Sequence, residues 1–215
     1  LGQRVYPVHR LDKGTCGVLV MALHPDAARA LGLDFAEHRV IKRYLALVRG
    51  WLPDVATVDH PLRPDDAPPD APVQDALTHF RCLARLELPT GSGGPDPRFA
   101  TTRASLVEAR PQTGRRHQIR RHLKHLAHPI LGDATHGKGP LNRWWAQQLG
   151  LQRLWLHAWG LELPHPVTGE RLQVDSGLPA PWQTDPAVPT DAPADVQHWQ
   201  RLFQDHAWQP TAALA

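Results

Sequence analysis

Two strand-like runs, "LTHFRCLARLEL" (77–88) and "TTRASLVEAR" (101–110), flank a long Gly- and Pro-rich connection, "PTGSGGPDPRFA". Residues of that kind between two such runs turn the chain back on itself, so the two predict an antiparallel pair joined by a long, mobile loop. Around this pair, strands and helices follow one another in mixed order. That order argues for an α+β fold, a mixed and largely antiparallel sheet with flanking helices, and against a regular βαβ wind.

Residues 5–9 and 17–23 read as short strands on either side of "HRLD", and 25–38 as an amphipathic helix with Pro25 in its first turn. The stretch 41–50 alternates Tyr44, Ala46 and Val48 against Arg43, Leu45 and Leu47, a strand that ends at Gly50. Residues 61–75, "PLRPDDAPPDAPVQD", predict a loop. From 113 to 129, "TGRRHQIRRHLKHLAHP" predicts a helix closed by Pro129, with Ile119, Leu123 and Leu126 on one face and Arg116 and Arg120 one turn apart on another. "LNRWWAQQLG" reads as a short helix ended by Gly150, and "RLWLHAWGLEL" with "HPVTGERLQV" as a final hairpin. Residues 1–178 are expected to form one catalytic-type domain, and 179–215 a Pro-rich linker and a tail helix, "VQHWQRLFQDHAW", docking on the body.

Charge is unevenly spread. The net value is +3, yet residues 101–143 alone carry nine basic and two acidic side chains, and Arg outnumbers Lys twenty to four. Guanidinium groups suit bidentate contacts to phosphates and base edges, although GC-rich codon usage produces the same ratio. No apolar run approaches the ~20 residues of a membrane span, and "LGQRVYPVHR" lacks the features of a secretory signal. Cys16 and Cys82 sit in or beside strand-like runs without metal or disulfide spacing, which predicts two buried thiols in a reducing compartment, with the cytoplasm as the default.

Three distant segments each place a polar group beside apolar residues: Asp12, Tyr44 and Arg120. Brought together, they would make a site with a carboxylate, a phenol and a guanidinium. A carboxylate next to Arg stays ionised, which suits a nucleophile or electrostatic stabiliser better than a proton donor.

These residues also carry a family resemblance. "HRLDKGTCG", "KRYLALVRG", "TGRRHQIRRHLKHLAHPILGD" and "LWLHAWGLELPHP" occur in the order and spacing seen in the HRLD-signature pseudouridine synthases that act on rRNA and tRNA. Over residues 5–178 the chain is most similar to a tRNA-modifying branch that acts on uridine 65; an rRNA-acting relative is the alternative within the family. The resemblance implies the pseudouridine synthase fold with a central catalytic cleft, an isomerase without cofactor, and RNA, most closely tRNA, as the partner of a monomer. By the same resemblance Asp12 is the essential aspartate, acting covalently or as a base in breakage of the C1′–N1 bond, Arg10 enters the RNA stack vacated by the target base, and Tyr44 stacks on that base and is a candidate for helping to remove its C5 proton. Arg120 pairs with the catalytic carboxylate, and Leu156 packs on the uracil. His9, Arg115, Arg116, His117, Gln118 and Arg121 are expected at the RNA. Two departures stand out. Cys16 occupies a usual Ser position, and the strands that normally precede HRLD are expected to be missing, since the chain opens eight residues before His9.

Two other classes compete. His117, His122, His125, His128 and His136 could suggest a metal-dependent hydrolase, but no H-E-x-x-H or paired Cys ligands accompany them. An RNA-binding module without catalysis would share the basic segment. Taken alone, Arg115, Arg116, Arg120, Arg121 and Lys124 would be a solvated helix face, and Trp144 and Trp145 are expected to be buried.

Overall fold

A computed structural model describes residues 4–68, 70–91, 94–179 and 192–212. In chain order its elements are β1 (Tyr6–Pro7), β2 (Cys16–Gly17), β3 (Met21–Ala22), α1 (Pro25–Ala36), β4 (Ile41–Arg49), β5 (Val55–Asp59), β6 (Leu77–Pro89) and β7 (Thr101–Pro111). There follow α2 (Gln118–His125), α3 (Gly139–Gln148), β8 (Leu156–Pro164), β9 (Arg171–Asp175), α4 (Ala194–Gln204) and β10 (Gln209–Pro210). The main sheet runs β10-β6-β7-β4-β8-β2, with β5 also on β6 and β9 also on β8. All its pairs are antiparallel except β2 with β8, so the α+β expectation holds.

The expected pair is the spine of the sheet: β6 and β7 pair from Thr78 opposite Pro111 to Pro89 opposite Thr101, with a one-residue shift of register between Cys82 and Ala84. Next to it, Leu45 to Val48 of β4 have no exposed surface, which requires cover on both faces. Successive strand residues point to opposite faces, so the register sorts the helices. Tyr44 lies opposite Ala109 and Ala158, and Ala109 opposite Phe80. On that same face Thr78 of β6 bonds Gln118 and His122, which seats α2 there. Leu45 lies opposite Glu108 and His157 on the other face. There Trp199 of α4, fully buried, meets Trp155 edge to face at 5.1 Å and the His157 ring at 6.1 Å.

The outer edge of β6 is covered twice. β5 pairs with its first half, Leu77 to Arg81, and β10 with Ala84 and Arg85. Just after β10, Thr211 donates its hydroxyl to the Cys82 carbonyl (2.6 Å) and its N–H to that of Leu83 (3.1 Å). A smaller apolar cluster, Ala22, Leu31, Val40, Leu161 and Leu163, ties α1 and the β1–β3 hairpin to β8.

Three expectations need correction. The strand expected over 17–23 is two separate pieces, one parallel to β8 and one antiparallel to β1. Gly17 forces the break, because at φ +105° a Cβ would collide with the Ala158 carbonyl. The helix expected from 113 begins only at Gln118. His117 has φ +55°, and the Gln118 side-chain oxygen accepts the Arg115 N–H (2.9 Å) and the Thr113 hydroxyl (2.7 Å). Arg116 therefore precedes the helix and does not stack with Arg120. Both cysteines are free, but only Cys82 is buried; Cys16, in edge strand β2, is half-exposed.

The Pro-rich stretch expected as a linker lies largely outside the described residues. Trp144 and Trp145 are buried as expected. Among the described residues no helix is long and apolar enough to cross a membrane.

Candidate active site

On the α2 side of the sheet lies a cavity of about 640 Å³. The HRLD turn contributes His9, Arg10 and Asp12, β4 contributes Lys42 and Tyr44, the turn before α2 contributes Arg115 and Arg116, and Gln118, Phe35 and Leu156 complete much of the wall. Eight residues singled out in the sequence thus line one space. Arg120, His117 and Arg121 do not line it: Arg120 lies behind Asp12, and the other two sit beside the 61–75 loop.

Local sequence explains the placement. Thr15 N–H closes a turn on the Asp12 carbonyl (2.9 Å), with Gly14 at φ +88° supplying the left-handed residue. His9 braces the turn from the other side. Its Nε2 accepts the Val20 N–H (2.9 Å) and its ring stacks on Phe35 at 4.5 Å. Burial, and secondly Lys42, lower the His9 pKa, which keeps the ring neutral and able to accept that bond. On β4, two-residue periodicity aims Lys42 and Tyr44 into the same space.

Behind Asp12 is a buried ion group. Arg120 donates Nε and Nη2 to the two oxygens of Asp133 at 2.7 and 2.8 Å, while its Nη1 stands 3.8 Å from Asp12 Oδ2. The sequence-based pairing of Arg120 with Asp12 is thus present as a charge contact, but the hydrogen-bonded partner is Asp133. The Asp133 side chain has no exposed surface. Burial alone would raise its pKa, yet the bonds from Arg120 and from the His136 and Thr135 N–H groups outweigh it and hold the carboxyl below its ordinary range. Asp133 also raises the Arg120 pKa still further.

The cavity wall is tuned as well. The Tyr44 hydroxyl is pushed up to about 12, first by burial and then by the charge of Asp12. Lys42 is lowered to about 8 by burial and by nearby Arg115, and its amine donates to the Thr113 carbonyl at 2.8 Å.

At the rim, the arginines are not a bare solvated face. Asp66 pairs with Arg116; Asp65 lies 3.7 Å from Arg116 Nε, 3.2 Å from Arg121 Nη1 and 2.8 Å from His117 Nδ1. Arg121 also donates to the Arg63 carbonyl, and Arg115 to that of Asp75. The acidic 61–75 loop thus acts as an internal counter-ion to the basic segment.

The histidines scatter into separate roles. His122 bonds Thr78 and the His60 carbonyl, His125 stacks on His60 at 4.4 Å, His128 bonds the Arg49 carbonyl, and His117 meets His136 edge to face. Among the described residues no three His, Cys, Asp or Glu side chains gather as a metal-ligand group.

Sequence reasoning missed Asp133, Lys42 and Asp65. A signal existed for the first: Glu108 and Asp133 are the two acids in the cationic segment 101–143, each beside apolar residues. For Lys42 the signal was its spacing of two from Tyr44.

Residues 1–125 match a family model described as RNA pseudouridylate synthase. The chain is 46% identical over 190 residues to a Yersinia pestis protein named tRNA pseudouridine synthase C, covering 85% of this chain and 72% of that one. A Haemophilus ducreyi protein of the same name is 41% identical over 217 residues, covering 98% and 81%. Among solved structures, human RNA Pseudouridylate Synthase Domain Containing 1 superposes with a TM-score of 0.65 at 26% identity, covering 97% of this chain and 83% of that one.

Proposed function

This chain belongs to the RNA pseudouridylate synthase family, and from that premise we propose that it converts uridine 65 of tRNA to pseudouridine, acting as a monomer in the cytoplasm. The observation that carries this is the meeting, in one cavity, of the Asp12 carboxylate, the Tyr44 ring and Leu156, with a guanidinium 3.8 Å behind Asp12. The specific tRNA position rests on the likeness to proteins named tRNA pseudouridine synthase C.

A uridine in a stem must leave its stack to reach Asp12, at a cost of a few kcal/mol. Arg10, exposed at the cavity mouth, fills the space left behind. Asp12, with the Arg120 guanidinium 3.8 Å behind it, serves the breakage of the C1′–N1 bond. The freed uracil turns between Tyr44 and Leu156 and rejoins C1′ through C5; the C5 proton leaves and N1 gains one, so atoms balance without a cofactor. With its hydroxyl raised to about 12, Tyr44 keeps its proton at neutral pH and so offers a ring face and a donor. Arg115 and Arg116 face the RNA backbone at the mouth, flanked by His117 and Arg121 beside the 61–75 loop, while buried Gln118, bonded to Thr113, Arg115, Leu77 and Thr78, shapes the turn that carries them.

The test is Asp12→Asn assayed by carbodiimide mapping of pseudouridine in tRNA. The substitution is expected to abolish modification at uridine 65 with tRNA binding largely kept. Persistent modification would remove Asp12 from the chemistry, and modification by the unaltered protein at another uridine would overturn the assigned position.

A further inference from the structure

Asp133 lies outside the cavity wall, yet it makes the strongest contacts to Arg120. Two edges of the guanidinium, Nε and Nη2, are spent on its carboxylate at 2.7 and 2.8 Å, and only Nη1 is left toward Asp12, at 3.8 Å. The Asp133 carboxylate is itself anchored. Oδ1 accepts the N–H groups of Thr135 and His136, both at 2.9 Å. Asn142 of α3 pins the surrounding turn, donating to the Asp133 carbonyl (2.9 Å) and accepting the Gly132 N–H (3.0 Å). Gly132 has φ +76°, and a Cβ there would collide with the Arg153 carbonyl, so the turn is tightly seated against the segment leading to β8.

We infer that Asp133 is a positioning residue that holds Arg120 back from Asp12, so that the guanidinium supplies charge to the reacting carboxylate without occupying its oxygens; this rests on the function proposed above. A guanidinium is a planar fork that pairs bidentately with whichever carboxylate it can reach. Closed on Asp12, it would tie up the lone pairs that must meet the sugar or take a proton, and would lower the basicity of that carboxylate. Set at 3.8 Å, it keeps its charge beside Asp12 and leaves the carboxylate oxygens open. The two acids therefore have different duties: one is sequestered and fully bonded, the other faces the cavity.

The experiment compares Asp133→Asn and Asp133→Glu with the unaltered protein in single-turnover and steady-state pseudouridine formation on tRNA, across pH, with melting curves for each. Asparagine removes the charge that restrains Arg120, and glutamate keeps the charge but pushes the guanidinium toward Asp12. Both are expected to lower kcat on the order of a hundredfold, the scale of a displacement near 1 Å at a reacting group. KM for tRNA should stay within about twofold and the acid limb of the kcat profile should move to lower pH. A folded Asp133→Asn with unchanged kcat and unchanged pH profile overturns the inference, as does a loss confined to KM. Failure of both variants to fold also overturns it, by assigning Asp133 to folding alone. If the unaltered protein itself forms no pseudouridine, the functional proposal fails, and that result is separable from any difference among variants.

Discussion

Replacing Glu108 with Ala should destabilise the protein by releasing a clamp on the sheet face opposite Tyr44. Glu108 is 1% exposed and accepts from three arginines: Arg43 Nε at 2.8 Å, Arg81 Nη2 at 2.9 Å and Arg110 Nε at 3.0 Å. These residues sit on β4, β6 and β7, so one carboxylate clamps three neighbouring strands. Breaking a buried pair by removing one partner costs about 3–5 kcal/mol, because the other charge is stranded. Here the guanidinium side chains are 23%, 37% and 50% exposed and can partly rehydrate, which favours the lower end of that range. With an unfolding entropy of about 2.1 cal/mol/K per residue over 215 residues, a loss of about 3 kcal/mol lowers Tm by about 7 °C. Burial alone would raise the Glu108 pKa, but the bonds from Arg43 and Arg110 outweigh it and hold the carboxyl below its ordinary value. Its contribution is then complete above the unfolded-state value of 4.5 and is lost as pH falls through the lower folded value. Urea unfolding followed by tryptophan fluorescence at pH 7 and at pH 3 measures both effects. A difference of less than about 1 kcal/mol between Glu108→Ala and the unaltered protein at pH 7 would show that the three arginines gain nothing from the shared acid.

Lys42, lowered to about 8, carries its charge below that pH and loses it above. RNA affinity should therefore weaken as pH rises through about 8; Lys42→Met should remove that step and reduce the salt slope by about 0.7–0.9. Flat binding by the unaltered protein between pH 7 and 9 would contradict a Lys42 contact to phosphate. Replacing Asp65 and Asp66 together with Asn frees Arg116 and Arg121. Exposed pairs of this kind are worth about 0.2–1 kcal/mol each, so tRNA should bind about three- to tenfold tighter with a steeper salt dependence. Unchanged or weaker binding in filter or fluorescence assays would mean that the loop does not compete with RNA.

Much of the site was legible because its parts are short and local. Asp12 sits in a turn, Tyr44 on an alternating strand, and Leu156 at the start of a hairpin; their convergence follows once β4 lies between β7 and β8. What escaped was non-local. Nothing in the local pattern says which of the histidines takes a left-handed backbone, and His117, which does, separates Arg116 from the helix that carries Arg120. The pairing of Arg120 with Asp133 could not be told from a pairing with Asp12, because both acids suit a guanidinium and only the tertiary arrangement ranks them. Likewise, "PDDAPPD" reads as a loop from its prolines, but no local pattern says that its acids will fold onto the arginines fifty residues later.

The stitching of the last strand onto β6 bears on how the molecule is made. Thr211 bonds Cys82 across 129 residues of chain, and Trp199 completes the packing around Trp155. Every side chain lining the cavity has been synthesised by Leu156, yet the β6 edge and the α4 face close only once residues 194–211 have been made. A nascent chain therefore spends the translation time of some fifty residues, a few seconds at about 5–20 residues per second, with its cavity side chains made and part of one strand's ladder unpaired.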